Sequence, residues 1–153
     1  MSAVPRTFRA VEILMVEDNP GDARLTREAL RGSDLELRLH HVGDGVAALH
    51  FLQGHEPHQA APRPDVVLLD LNLPLMDGRA VLAAIKADAS LRSIPVIVLT
   101  TSHAEDDVAC AYDLHANCFV VKPADLHEFN QVLRSIEHFW LRTARLPVRA
   151  DAT

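Results

Sequence analysis

Five side chains able to bind a cation or to handle phosphoryl oxygens close four separate apolar runs. Glu17 and Asp18 follow "ILMV", Asp70 ends "VVLLD", Thr100 ends "VIVLT" and Lys122 follows "FVV". Each has an ordinary reading: Asp18 as a turn residue, Thr100 as a helix cap, Lys122 as a solvated loop lysine. Their joint placement at the ends of four runs is what points to chemistry. Three carboxylates gathered at about 5 Å, at an effective dielectric of about 20, repel by roughly 3 kcal/mol per pair. One lysine cannot offset that, whereas a divalent cation can. An all-oxygen donor set with room for waters suits Mg2+, with Mn2+ as a substitute, rather than Zn2+. Metal, ammonium and hydroxyl together would stabilise the oxygens of a phosphoryl group.

The elements that must position these residues follow from hydrophobic pattern. Strands are expected at Val11–Val16, Leu35–Val42, Val66–Asp70, Val96–Thr100 and Cys118–Val121. Helices are expected near Gly21–Arg31, Gly45–Gln53, Gly78–Ala87 and Ala104–Leu114, with a last one from Asp125 into the 140s. Continuous runs such as "VVLL" suit parallel strands covered on both faces. Strands alternating with helices imply right-handed crossovers and an open α/β sheet. In such a sheet the carboxyl ends of the strands share one rim, so the five residues would meet in one crevice.

The remaining sequence bounds the function. At 153 residues the chain fits one domain, and 48% hydrophobic residues with a mean hydropathy of +0.04 describe a folded, soluble protein. A net charge of -6 without a dense basic block argues against nucleic acid. Two cysteines, no signal-peptide pattern and no membrane-length apolar run point to a cytoplasmic domain. Residues 53–64, with three prolines, read as a loop, and residues 1–9 and 147–153 as frayed ends. His40, His41, His55, His58 and the set Cys110, His115, Cys118 lack the spacing of a zinc site.

Taken in order, "ILMVEDNPGDARLTREAL", "VVLLDLNLPLMDG", "IPVIVLTTS" and "FVVKPADL" resemble the receiver domain of two-component response regulators. The details "TTSHAEDDV" and "IEHFWLRTARLP" are similar to regulators partnered with bacterial phytochrome histidine kinases. The resemblance implies a flavodoxin-like fold: a doubly wound, five-stranded parallel sheet of order 2-1-3-4-5 with an extended C-terminal helix. It makes Asp70 the phosphoacceptor for a histidine kinase. Asp18, Asp70 and the Asn72 backbone carbonyl would bind Mg2+, with Glu17 reaching the metal through water. Lys122 would neutralise Asp70 and hold a phosphoryl oxygen, and its bond to Pro123 would be cis. Thr100 and Phe119 would act as the switch, and Thr101 would leave access to the phosphoryl group.

The same resemblance divides the chain into an N-terminal extension (1–9), a receiver domain (10–138) and a C-terminal helix extension and tail (139–153). With no output domain visible, signalling would run through the surface of the fourth helix, fifth strand and fifth helix. Leu126, Phe129, Leu133, Ile136 and Trp140 form the expected core stripe of the last helix. Val132, Phe139, Trp140 and Leu141 form the expected partner or homodimer face. A phosphatase using Asp70 as nucleophile is the rival reading. Its acid would stand two residues on, where the chain has Asn72, a side chain unable to serve as an acid at neutral pH.

Overall fold

The computed structural model describes residues 10–55 and 60–147, so the frayed-end expectations for residues 1–9 and 148–153, and His58, lie outside the described residues. The chain alternates β1 (Val11–Val16), α1 (Pro20–Arg31), β2 (Leu37–Val42), α2 (Gly45–Gln53), β3 (Val66–Leu69) and α3 (Gly78–Ala87). It continues through β4 (Val96–Thr100), α4 (Glu105–Asp113), β5 (Cys118–Val121) and α5 (Leu126–Ile136). All strand pairings are parallel, in the order β2-β1-β3-β4-β5. Two strand ends differ from the sequence reading. β2 starts at Leu37 rather than Leu35, because the Leu35 amide turns back to the Ser33 hydroxyl at 3.0 Å. Asp70 lies one residue beyond β3.

Alternation along the strands sorts the core into two layers. Leu14, Val16, Val67, Leu69, Val96 and Val98 pack with Ala48 and Phe51 of α2, Val81, Leu82 and Ile85 of α3, and Ala111 of α4. Ile13, Val66, Leu68, Ile97 and Leu99 pack with Leu30 of α1 and with Phe129, Leu133 and Ile136 of α5. Each such large apolar side chain contributes about 1.5–3 kcal/mol on burial. Side-chain caps start four helices at the carboxyl rim of the sheet. Asn19 accepts from the Asp22 amide (3.0 Å), Asp44 from Ala47 (2.7 Å), Asp77 from Arg79 (2.9 Å) and Asp125 from Glu128 (3.0 Å).

The last helix departs from the expected stripe at both ends. Leu126, the first residue of α5, is 65% exposed, its side chain tilting toward the helix start and away from the core stripe. At the other end, α5 continues as a π-helical segment, Glu137–Thr143. With five residues between bonded partners rather than four, the residue brought beneath Ile136 is Leu141. Leu141 is therefore buried in the second core layer, and its expected place on a partner face is corrected. Val132 and Trp140 are half-buried against that layer, and Phe139 alone of the four is exposed, at 52%. The segment is tied down through Arg142, which pairs with Asp34 and, at 2.9 Å, with Glu137. Glu137 also accepts from the Ser33 hydroxyl at 2.8 Å.

Candidate functional site

Backbone hydrogen bonds extend the sheet just past the strand ends and fix the site residues in register. The Glu17 amide donates to the Val42 carbonyl (3.0 Å), the Asp70 amide to Val16 (3.1 Å) and the Lys122 amide to Thr100 (2.7 Å). Glu17, Asp70, Thr100 and Lys122 are all buried, and Asp18 stands exposed at the mouth. The Lys122 ammonium donates to Glu17 Oε1 at 2.5 Å, to Asp22 Oδ2 at 2.9 Å and to Asp70 Oδ2 at 3.0 Å. The loop after Asp70 turns back sharply, with the Asn72 amide 3.3 Å from Asp70 Oδ1.

Glycines allow that loop to pack. A Cβ on Gly78 would strike the carbonyl oxygen of Asp70 and the Cα of Leu71, and one on Gly45 would strike the backbone of Met76. The starts of α3 and α2 thus press directly on the segment that carries Asp70.

The electrostatics follow from burial and crowding. Burial pushes the Glu17 carboxyl up to about 7, with the Asp70 charge adding to the effect against the opposing pull of Lys122. Burial alone would lower the Lys122 ammonium, but hydrogen bonds to Glu17 and Asp22 and the charges of Glu17 and Asp70 hold it above its ordinary range. One oxygen each from Glu17, Asp18 and Asp70 lies within 4.8 Å of the others. Like charges held so close, with one ammonium among them, form a hard, all-oxygen donor set suited to Mg2+ or Mn2+. Bound there, the metal would supply positive charge to oxygens arriving at Asp70.

Thr100 is fully buried at the end of β4, and its hydroxyl oxygen lies 3.5 Å from the Ser102 amide. Phe119 is half-buried on β5, against the first core layer. Its amide donates to the Tyr112 hydroxyl at 3.2 Å, joining α4 to β5. Pro123 follows Lys122 into α5.

Two contacts went unnoticed in the sequence. Asp22 reaches Lys122 from the first turn of α1, and His41 Nε2 donates to the Glu17 carbonyl at 2.8 Å. Asp22 could have been found from "NPGD": an Asn cap followed by Pro-Gly starts a helix on the functional rim with Asp in its first turn. His41 carried no comparable signal.

A family model described as the response regulator receiver domain matches residues 13–134. The chain belongs to this family. Receiver domains are phosphoacceptor switches that work with histidine kinases. Among the relatives, response regulator Rcp1 of Synechocystis sp. (strain PCC 6803) is 49% identical over 135 residues, spanning 88% of this chain and 92% of Rcp1. The crystal structure of the Mn(2+)-bound form of Rcp1 superposes with a TM-score of 0.88 at 48% identity, covering 90% of this chain and 99% of that one. The phosphorylated cyanobacterial phytochrome response regulator RcpA gives 0.90 at 48% identity, covering 92% and 100%. This receiver is thus a response regulator homologous to phytochrome response regulators. Its acidic cluster is of the kind that binds a divalent metal in the family. No helix among the described residues is long and apolar enough to cross a membrane.

Proposed function

We propose that this receiver accepts a phosphoryl group on Asp70 from a phytochrome-type histidine kinase, in a Mg2+-dependent reaction. The observation that carries the reading is the convergence of Glu17, Asp18 and Asp70 within 4.8 Å, with the Lys122 ammonium 3.0 Å from Asp70. An Asp70 oxygen attacks the phosphorus of a phosphohistidine. A P–O bond forms, the P–N bond breaks, and its electron pair stays on the imidazole nitrogen. Asp18, Asp70 and the Asn72 carbonyl would hold the metal, with Glu17 assisting from the same acidic set. Lys122 and the Thr100 hydroxyl take the phosphoryl oxygens.

Thr100 and Phe119 then carry the change to the α4–β5–α5 face, where Tyr112, Val121 and Phe139 stand exposed. That face binds a second copy or a downstream protein. The chain acts as a switch with no substrate turnover of its own. The similarity to the phytochrome response regulator RcpA supports the choice of kinase.

Incubation with acetyl phosphate and Mg2+ should add one phosphoryl group by intact mass. Asp70→Asn should fold and add none. Labelling that persists in Asp70→Asn would overturn the assignment.

A further inference from the structure

An ammonium has three N–H donors and no more. In this structure each has a carboxylate within reach: Glu17 at 2.5 Å, Asp22 at 2.9 Å and Asp70 at 3.0 Å. Lys122 is therefore fully engaged before any phosphoryl oxygen arrives, and one partner must yield. The three partners differ in how readily they can. Glu17 and Asp70 belong to the converging metal-binding set, so a divalent cation draws on their charge. Bond formation at Asp70 also changes what its oxygens can accept. Asp22, on the first turn of α1, is not one of the three carboxylates that converge, so it has no share in their ligand role.

We propose that Asp22 is a positioning residue that acts through Lys122: it competes with the phosphoryl group for the ammonium and so limits how tightly the phosphorylated state is held. This rests on the reading of Asp70 as phosphoacceptor. Asp22 is well placed to compete. Its side chain is 25% exposed, and its backbone is anchored at both polar groups. The amide donates to the Asn19 cap at 3.0 Å and the carbonyl accepts from Thr26 Oγ1 at 2.9 Å. The carboxylate also adds a negative charge beside the site where phosphoryl oxygens collect, and like charge at that range opposes their binding. Simple bracing of the lysine makes the opposite forecast, since loss of a brace weakens its grip.

Beryllofluoride, a phosphoryl mimic, can be titrated by calorimetry at saturating Mg2+ into the wild-type chain, Asp22→Asn, Asp22→Ser and Asp22→Glu. The Asn and Ser variants should bind about tenfold more tightly, the worth of one charge-assisted hydrogen bond, and Asp22→Glu should return toward wild type. The phosphorylated forms of the Asn and Ser variants should also lose the phosphoryl group more slowly. Ser keeps a short polar side chain in the first turn, so it serves if Asn misfolds, and thermal unfolding verifies each fold. Unchanged or weaker beryllofluoride binding in a folded neutral variant overturns the inference while leaving Asp70 in its role. Failure of the wild-type chain itself to bind beryllofluoride with Mg2+ overturns the Asp70 reading and this inference together.

Discussion

Arg79 of α3 holds Asp107 of α4 at 2.6 Å, and Asp107 in turn accepts the hydroxyl of Ser102. Arg79 also bridges back to Asp77, the cap of its own helix, at 3.1 Å. The loop that follows Asp70 is thereby tied to the loop that follows Thr100. The Ser102 hydrogen bond, then that of Arg79, holds the Asp107 carboxyl below the usual carboxylate range. A carboxyl lowered on folding stabilises the fold above its unfolded value of about 3.9, and the contribution is lost as pH falls through the lowered value. A carbon-13 titration of the carboxyl should place the Asp107 midpoint below that of a free aspartate. Ser102→Ala and Arg79→Ala should each raise it, and equal midpoints in all three proteins would show the link to be absent in solution.

The crowded carboxylates predict a stability response to metal. A ligand at 100 times its dissociation constant stabilises a fold by about 2.7 kcal/mol, so Mg2+ should raise the thermal midpoint of the wild-type chain. Asp18→Ala removes one ligand that makes no buried contact and relieves repulsion on the other two. This variant should melt no lower than wild type without Mg2+, and should lose most of the Mg2+-dependent rise. A full Mg2+ response in Asp18→Ala would remove Asp18 from the ligand set.

Gly78→Ala tests how tightly the loop is pinned. Its methyl meets the backbone of Asp70 and Leu71, atoms that cannot rotate away. Overpacking of this kind costs about 1–3 kcal/mol, and urea unfolding should report a loss in that range. Because the obstacle is next to Asp70 itself, Mg2+ affinity should fall as well. Wild-type stability would mean that the α3 start can shift away from the loop.

The order of legibility follows from how each feature is encoded. Four strand ends with charged or hydroxyl residues place Glu17, Asp18, Asp70, Thr100 and Lys122 on one rim by topology alone, because parallel strands share their carboxyl end. Asp22 escaped because it sits on a helix, where its direction depends on the rotation set by the Asn19 cap. The Arg79–Asp107 tie joins residues 28 positions apart on two helices, and only the packing of α3 beside α4 brings them together. Leu141 differs for another reason: an α-helical period puts it on the surface, these residues adopt a π-helix, and a one-residue change of period exchanges core and surface positions.

That change of period gives opposite forecasts for two apolar residues near one another in sequence. Leu141 is buried against Ile136 and Phe139 is half exposed, in edge-to-face contact with Trp140 at 5.6 Å. Leu141→Ala should destabilise the monomer fold by about 2–5 kcal/mol, as truncation of a buried leucine does. Phe139→Ala removes surface area only and should change stability by about 0.5 kcal/mol or less. If the α5 end is part of a homodimer face, sedimentation equilibrium should show weaker self-association in Phe139→Ala than in wild type. Urea unfolding of both variants separates the effects, since a continued α-helix would have put Trp140 inside and left Leu141 dispensable. Wild-type stability of Leu141→Ala would mean that the segment winds as an ordinary α-helix in solution.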